Sequence, residues 1–173
     1  MMNRRGYRPA MRVVPVRLEP GDDVKSALRG IVQREGITAA WVMTCVGSLR
    51  RIALRLADLR TADGEFEIIS AAGTLGPSGV HVHLAVADPQ GTLLGGHLMA
   101  GCVVAEQGTV ELVLGADDGW RFDRGRDPRT GFDELVIASV PQRDARALRQ
   151  AADGHAEDAR GRHVAEVSRV DAP

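Results

Sequence analysis

From Thr38 onward the chain runs as short apolar, β-branched stretches separated by glycine and aspartate, and this punctuation limits its fold more than any other feature. The stretches are residues 38–46, 50–57, 65–73, 80–87, 92–105, 109–114 and 134–139. The breaks fall at Gly47, Asp63-Gly64, Gly76-Pro77-Ser78-Gly79, Asp88-Pro89-Gln90-Gly91 and Gln107-Gly108. Gaps this short cannot hold the helical crossovers that parallel strands need, so the spacing predicts an antiparallel meander. Period-two alternation in Arg51-Ile52-Ala53-Leu54-Arg55-Leu56 and Val80-His81-Val82-His83-Leu84 sets alternate side chains on opposite faces of a sheet. An earlier strand is expected over 12–18, where Pro15 removes a ladder donor and argues for an edge position or a bulge.

One helix interrupts this pattern. Val24, Ala27, Leu28, Ile31 and Val32 recur at the spacing of an apolar helical stripe. Asp22 or Asp23 suits its N-terminal cap, and Gly36 suits a left-handed stop. One helix packed on a largely antiparallel sheet is an α+β domain. The Asp-, Arg- and Gly-rich residues 116–132 read as a loop. Residues 1–11 read as a flexible arm, 12–140 as the domain, and 141–173 as a polar C-terminal helix and tail with almost no apolar face to bury. His155 and His163 fall in that tail and are given no role.

A chain of 173 residues that is 44% hydrophobic can build one ordinary core. No apolar run approaches the roughly 20 residues that span a bilayer, and residues 1–7 lack the apolar block of an export signal, so a cytoplasmic protein without membrane association is expected. Cys45 and Cys102 each lie in an apolar stretch, as buried free thiols do, and not at the spacing of a zinc knuckle or redox pair. The net charge of −1 gives no overall basic excess for a polyanion. The local exception is Arg4, Arg5, Arg8 and Arg12, with no acidic residue before Glu19.

Residues 79–97, G-V-H-V-H-L-A-V-A-D-P-Q-G-T-L-L-G-G-H, hold three of the five histidines. On a strand, His81 and His83 project from one face with Cα atoms about 6.6 Å apart, close enough to share a metal ion. A turn at Asp88-Pro89-Gln90-Gly91 could bring His97 back beside them. Neutral imidazole suits zinc and similar divalent ions, and three protein ligands with a vacant fourth position is the arrangement of a catalytic zinc site. The competing arrangement has His81 and His83 facing a carboxylate, a backbone carbonyl or an oligomer interface, with His97 pointing elsewhere. Gly95 and Gly96 fit either a site wall or simple close packing of strands or subunits. Arg17 could meet a carboxylate or phosphate ligand, a surface salt bridge being the default. Gly76-Pro77-Ser78-Gly79 lacks the lysine and following helix of a phosphate loop and reads as a turn. No nucleophile motif is evident, and Ser48 has no base partner identifiable in sequence.

Taken together, Leu18-Glu19-Pro20-Gly21-Asp22-Asp23-Val24, Val46-Gly47-Ser48-Leu49, Phe66-Glu67-Ile68-Ile69-Ser70 with Gly73, and residues 79–101 resemble the PPC domain of plants and prokaryotes. That domain occurs in AT-hook nuclear proteins of plants and alone in bacteria and archaea. The resemblance covers roughly two thirds of the chain, from about Arg12 to Leu114, with an extension at residues 131–136. It implies a strongly bent antiparallel sheet, assembly as a homotrimer, and a match of His81, His83 and His97 to the histidines of prokaryotic members. Plant relatives associate with AT-rich DNA. Here the nearest strings to an Arg-Gly-Arg-Pro hook are Arg124-Gly125-Arg126-Asp127 and Arg5-Gly6-Tyr7-Arg8-Pro9. Asp127 would set a negative charge against the phosphates, and Tyr7 replaces the second arginine, so neither is a hook. The expectation is an oligomeric PPC-type binding module, associated with DNA or transcription, with a three-histidine divalent metal site. The alternative is a metal-dependent enzyme or a protein that binds a small polar metabolite at the same histidines.

Overall fold

The computed structural model describes residues 11–140. The first ten residues of the expected arm, with Arg4, Arg5 and Arg8, and the expected tail with His155 and His163 lie outside the described residues. The elements are β1 (Arg12–Leu18), α1 (Val24–Arg34), β2 (Ala40–Arg55), β3 (Leu59–Gly76), β4 (Gly79–Ala87), β5 (Leu93–Leu98), β6 (Val103–Val104), β7 (Val110–Ala116), β8 (Trp120–Arg126) and β9 (Asp133–Ser139). The domain is mostly antiparallel sheet, with one helix among the described residues.

β2, β3, β4 and β5 follow one another as the expected meander. β7 departs from it by inserting between β1 and β2, which leaves β1 at the sheet edge, where Pro15 needs no partner for its missing N–H. β5 also returns to pair with the far end of β2, setting Leu98 opposite Leu54 and His97 opposite Arg55. The sheet therefore curls until β2 meets both ends of the meander. Leu49, Val86, Val104, Val110 and Leu114 lie inside the curl with no more than trace exposure, and α1 adds Val24, Leu28, Ile31 and Val32 to the same core.

Three expected boundaries are corrected. Gly47 is not a break: β2 runs through it, and its φ of 137° lets the strand bend where an added Cβ would collide with the backbone of Thr109 and Val110. Asp63-Gly64 likewise lies inside β3. Residues 116–132 are not all loop, because β8 pairs with β9 as a separate two-stranded ribbon. Its composition hid it, since the ribbon is held by polar contacts more than by a buried face. The Phe122 amide donates to the Thr38 carbonyl at 2.9 Å, the Thr38 hydroxyl to the Trp120 carbonyl at 2.7 Å, and the Arg124 amide to Ser78 Oγ at 2.7 Å.

The helix starts and stops as its sequence predicts. Asp23 is the N-cap, its Oδ1 accepting from the Ser26 amide at 2.8 Å, while its Oδ2 accepts from the Gly101 amide at 2.5 Å. Gly36 takes the left-handed φ of 58°. Because Asp23 serves both α1 and the turn after β5, Asp23→Ala should lower stability by about 1–2 kcal/mol, the upper range for a lost cap. Asp23→Asn, which keeps the acceptor, should recover most of that loss in urea denaturation.

Candidate metal centre

Strand register builds the histidine cluster. In β4 the buried Val82, Leu84 and Val86 alternate with the more accessible His81, His83 and Ala85, so both histidines share the face turned away from the core. The turn at Asp88 is the expected one. Its Oδ1 accepts from the Gln90 and Thr92 amides at 3.0 and 2.8 Å, and Gly91 has φ 80°. This turn sets His97 directly opposite His83 across the β4–β5 pair, and directly opposite partners project on the same face. Arg55 lies opposite His97 in turn, so His83, His97 and Arg55 form one row across three strands.

The three side chains converge. One ring nitrogen from each lies within 4.8 Å of the others. Nε2 of His81 and Nε2 of His83 are 3.3 Å apart, His81 stacks on His97 with ring centroids at 4.7 Å, and His83 meets His97 edge-on at 4.4 Å. Tetrahedral zinc with bonds of 2.0–2.1 Å holds its nitrogens about 3.3–3.4 Å apart, so the His81–His83 pair already has the right spacing. Among the described residues no carboxylate or backbone carbonyl hydrogen-bonds any of these rings. Of the competing arrangement, the carboxylate and carbonyl partners and a distant His97 are not found among the described residues.

The electrostatics favour the neutral, ligating form of His81 and His97. Burial, then Arg124 and the other two histidines, pushes His81 down to about 4, and burial followed by His83 and Arg55 lowers His97. With an unfolded value near 6.5, His81 binds fewer protons folded than unfolded between about pH 6.5 and 4. Its contribution is therefore complete above 6.5 and lost as pH falls through that window. The metal-free protein should melt at lower temperature at pH 5 than at pH 7, and His81→Asn should shrink the difference.

The cluster lies in a cavity of about 900 Å³ that also receives Lys25 and Arg29 from α1, Arg55 from β2, and Arg124 and Arg126 from β8. The sequence assigned none of these cations to the histidine site, and Arg124 and Arg126 stood out in it only within the rejected hook-like string. The signal available was faint: Arg55 closes the alternating Arg51-Ile52-Ala53-Leu54-Arg55 stretch, and Lys25 and Arg29 stand four apart on α1. Arg17 is not at the site. It lies 63% exposed on β1, in register with Glu111 and, beyond it, Val46, and its Nε is 3.6 Å from Glu19. Gly96 has the close-packing role, since a Cβ there would press on the Arg55 carbonyl at 2.9 Å; Gly95 has ordinary space. Neither glycine lines the cavity. Cys45 and Cys102 are buried and unpaired, as expected, and Ser48 Oγ donates to Glu67 at 2.8 Å on the surface, away from the histidines. No helix among the described residues is long and apolar enough to cross a membrane.

Comparison with known proteins places this architecture. A protein from Synechococcus sp. (strain JA-3-3Ab), named Bifunctional protein GlmU, is 44% identical over 137 residues, which is 77% of this chain and 22% of that protein. This chain thus spans less than a quarter of the length of the curated relatives it matches. A hypothetical protein from Salmonella cholerae-suis of known structure shares 43% identity, covering 78% of this chain and 99% of that one, with a TM-score of 0.73. The same fold recurs at 22–23% identity in a candidate DNA-binding protein from Ralstonia eutropha (TM-score 0.63; 73% of this chain, 90% of that one) and a metal-containing protein from Archaeoglobus fulgidus (0.59; 76% and 99%). The Plants and Prokaryotes Conserved (PCC) domain, the PPC domain of the sequence resemblance, matches residues 5–116, and the chain belongs to that family.

Proposed function

We propose that this chain is a PCC-family binding module whose His81, His83 and His97 hold one divalent ion of zinc type, with an open coordination position facing the cavity. The observation that carries this is the meeting of three imidazole nitrogens within 4.8 Å, with no competing hydrogen-bond partner among the described residues. The Archaeoglobus fulgidus protein of the same fold is described as metal-containing, which supports the reading. A bound ion supplies a Lewis acid and lowers the pKa of a bound water. The protein's own part is to fix the three rings by strand register and to favour the neutral form of His81 and His97. Elemental analysis of the purified full chain should find one divalent ion per protomer, and a metal-free protein that takes up no added zinc would refute the assignment.

Assembly as a homotrimer belongs to the same reading. Val46 on β2 and Ile69 on β3 are each about half exposed, apolar side chains available for contact between copies. Sedimentation should give three times the 18.5 kDa protomer mass, and a monomer would remove this part. DNA contact is the second reading, favoured by the cavity's cations and by the name of the Ralstonia eutropha relative. A salt titration against AT-rich duplex decides it, because phosphate contacts are strongest at low ionic strength.

A further inference from the structure

Cations in this fold are treated in two ways. Away from the cavity most arginines have a carboxylate partner: Arg51 takes both oxygens of Asp63 at 2.8 and 2.9 Å, Arg50 meets Glu106 at 3.0 Å, and Arg121 meets Asp123 at 2.6 Å. Inside it Lys25, Arg29, Arg55, Arg124 and Arg126 have none within ion-pair distance among the described residues. Lys25 Nζ has the thioether of Met99 at 3.9 Å; it is partly buried, and Arg29 and Arg55 act on it more strongly than the carboxylate of Asp23. Arg124 is held in place by neutral groups, the Thr74 hydroxyl at 3.3 Å and the Asp133 carbonyl at 3.5 Å. Two carboxylates, Asp133 and Glu134, share the lining with these five cations.

Five cations facing only two carboxylates around a concave surface, none of them in an ion pair among the described residues, are held together at a cost that an anionic occupant removes, and such a site focuses the field on that occupant. The cations come from three separate elements, α1, β2 and β8, and surround the face on which the histidines converge. A volume near 900 Å³ is that of a small-molecule site.

We infer that the cavity binds a small organic anion carrying at least two negative groups, one oxygen entering the open position on the histidine-bound ion and a second group pairing with Arg55, Arg124 and Lys25. This rests on the metal assignment above for its first contact only. Arginine at two of these positions suits planar carboxylate or phosphate oxygens, which it can engage through two parallel hydrogen bonds.

The test is calorimetric titration of the zinc-loaded full chain with succinate, carrying two carboxylates, and with 3-phosphoglycerate, carrying a phosphate and a carboxylate. Succinamide serves as the neutral control, and zinc content is measured before and after. At least one dianion should bind, succinamide should not, and Arg55→Gln and Arg124→Gln should each weaken binding by about tenfold or more with zinc unchanged. Arg51→Gln, outside the cavity, should bind as the wild type does. Whichever dianion binds more tightly identifies the phosphate or the carboxylate class. Failure of both dianions, or equal binding in all three arginine variants, overturns the inference even when zinc is present. Absence of zinc overturns the metal assignment alone, and arginine-dependent dianion binding in that case still supports the anion site. Duplex DNA displacing the dianions at physiological salt would overturn the small-molecule assignment.

Discussion

Replacing His83 with alanine is expected to take the protein from one bound ion per chain to none after dialysis, the largest single change in its chemistry. His83 meets both other ligands: its Nε2 is 3.3 Å from that of His81, and the β4–β5 register sets it directly opposite His97. Its loss leaves two imidazoles that make no compensating contact with a carboxylate. Partners that merely orient a metal ligand are worth 10–100-fold in affinity, so loss of a ligand should cost about 100-fold or more. At zinc concentrations near 100 times the wild-type dissociation constant, the ion stabilises the fold by about 2.7 kcal/mol, and this increment should vanish in the variant. The metal-free melting temperatures of wild type and variant should agree closely, because His83 is exposed and contributes no core packing. Thermal melts with and without zinc check both statements, and a variant that still gains stability from zinc would contradict them.

Leu49→Ala should be the most damaging core substitution of its size, destabilising the protein by about 3–5 kcal/mol in urea denaturation. Leu49 is fully buried where β2 shifts register, paired with Phe66 of β3 on one side and Val104 of β6 on the other. No neighbouring strand can close over the vacated volume without losing its own pairing, which is the condition for the high end of the range. Leu93→Ala, at a residue 65% exposed, should change stability by less than about 0.5 kcal/mol. Similar losses at the two positions would mean that the curl of the sheet does not depend on this junction.

The readable parts of the chain were those governed by near neighbours. The α1 stripe, the Asp23 cap, the Gly36 stop, the Asp88 turn and the pairing of His83 with His97 each depend on residues within one helix or one hairpin. What escaped depends on distant closure. Arg55 joins the histidines because β5 pairs back onto β2, and Arg124 and Arg126 arrive on a ribbon whose polar sequence carries no strand signature. Arg17 was considered for its charge, but the insertion of β7 between β1 and β2 leaves its strand at the far edge of the sheet, outside the cavity. Gly47 misled because glycine marks both turns and bends, and only the pairing of Gly47 with Val110 distinguishes them.

The central claim is that three imidazoles from two adjacent strands share one ion. X-ray absorption at the zinc edge of the loaded full chain tests it most directly. The geometry predicts three imidazole nitrogens at about 2.0–2.1 Å, with the remaining position filled by oxygen, and loss of that imidazole shell in His83→Ala and His97→Ala. A shell containing sulfur at about 2.3 Å, or an imidazole shell unchanged in both variants, would contradict it.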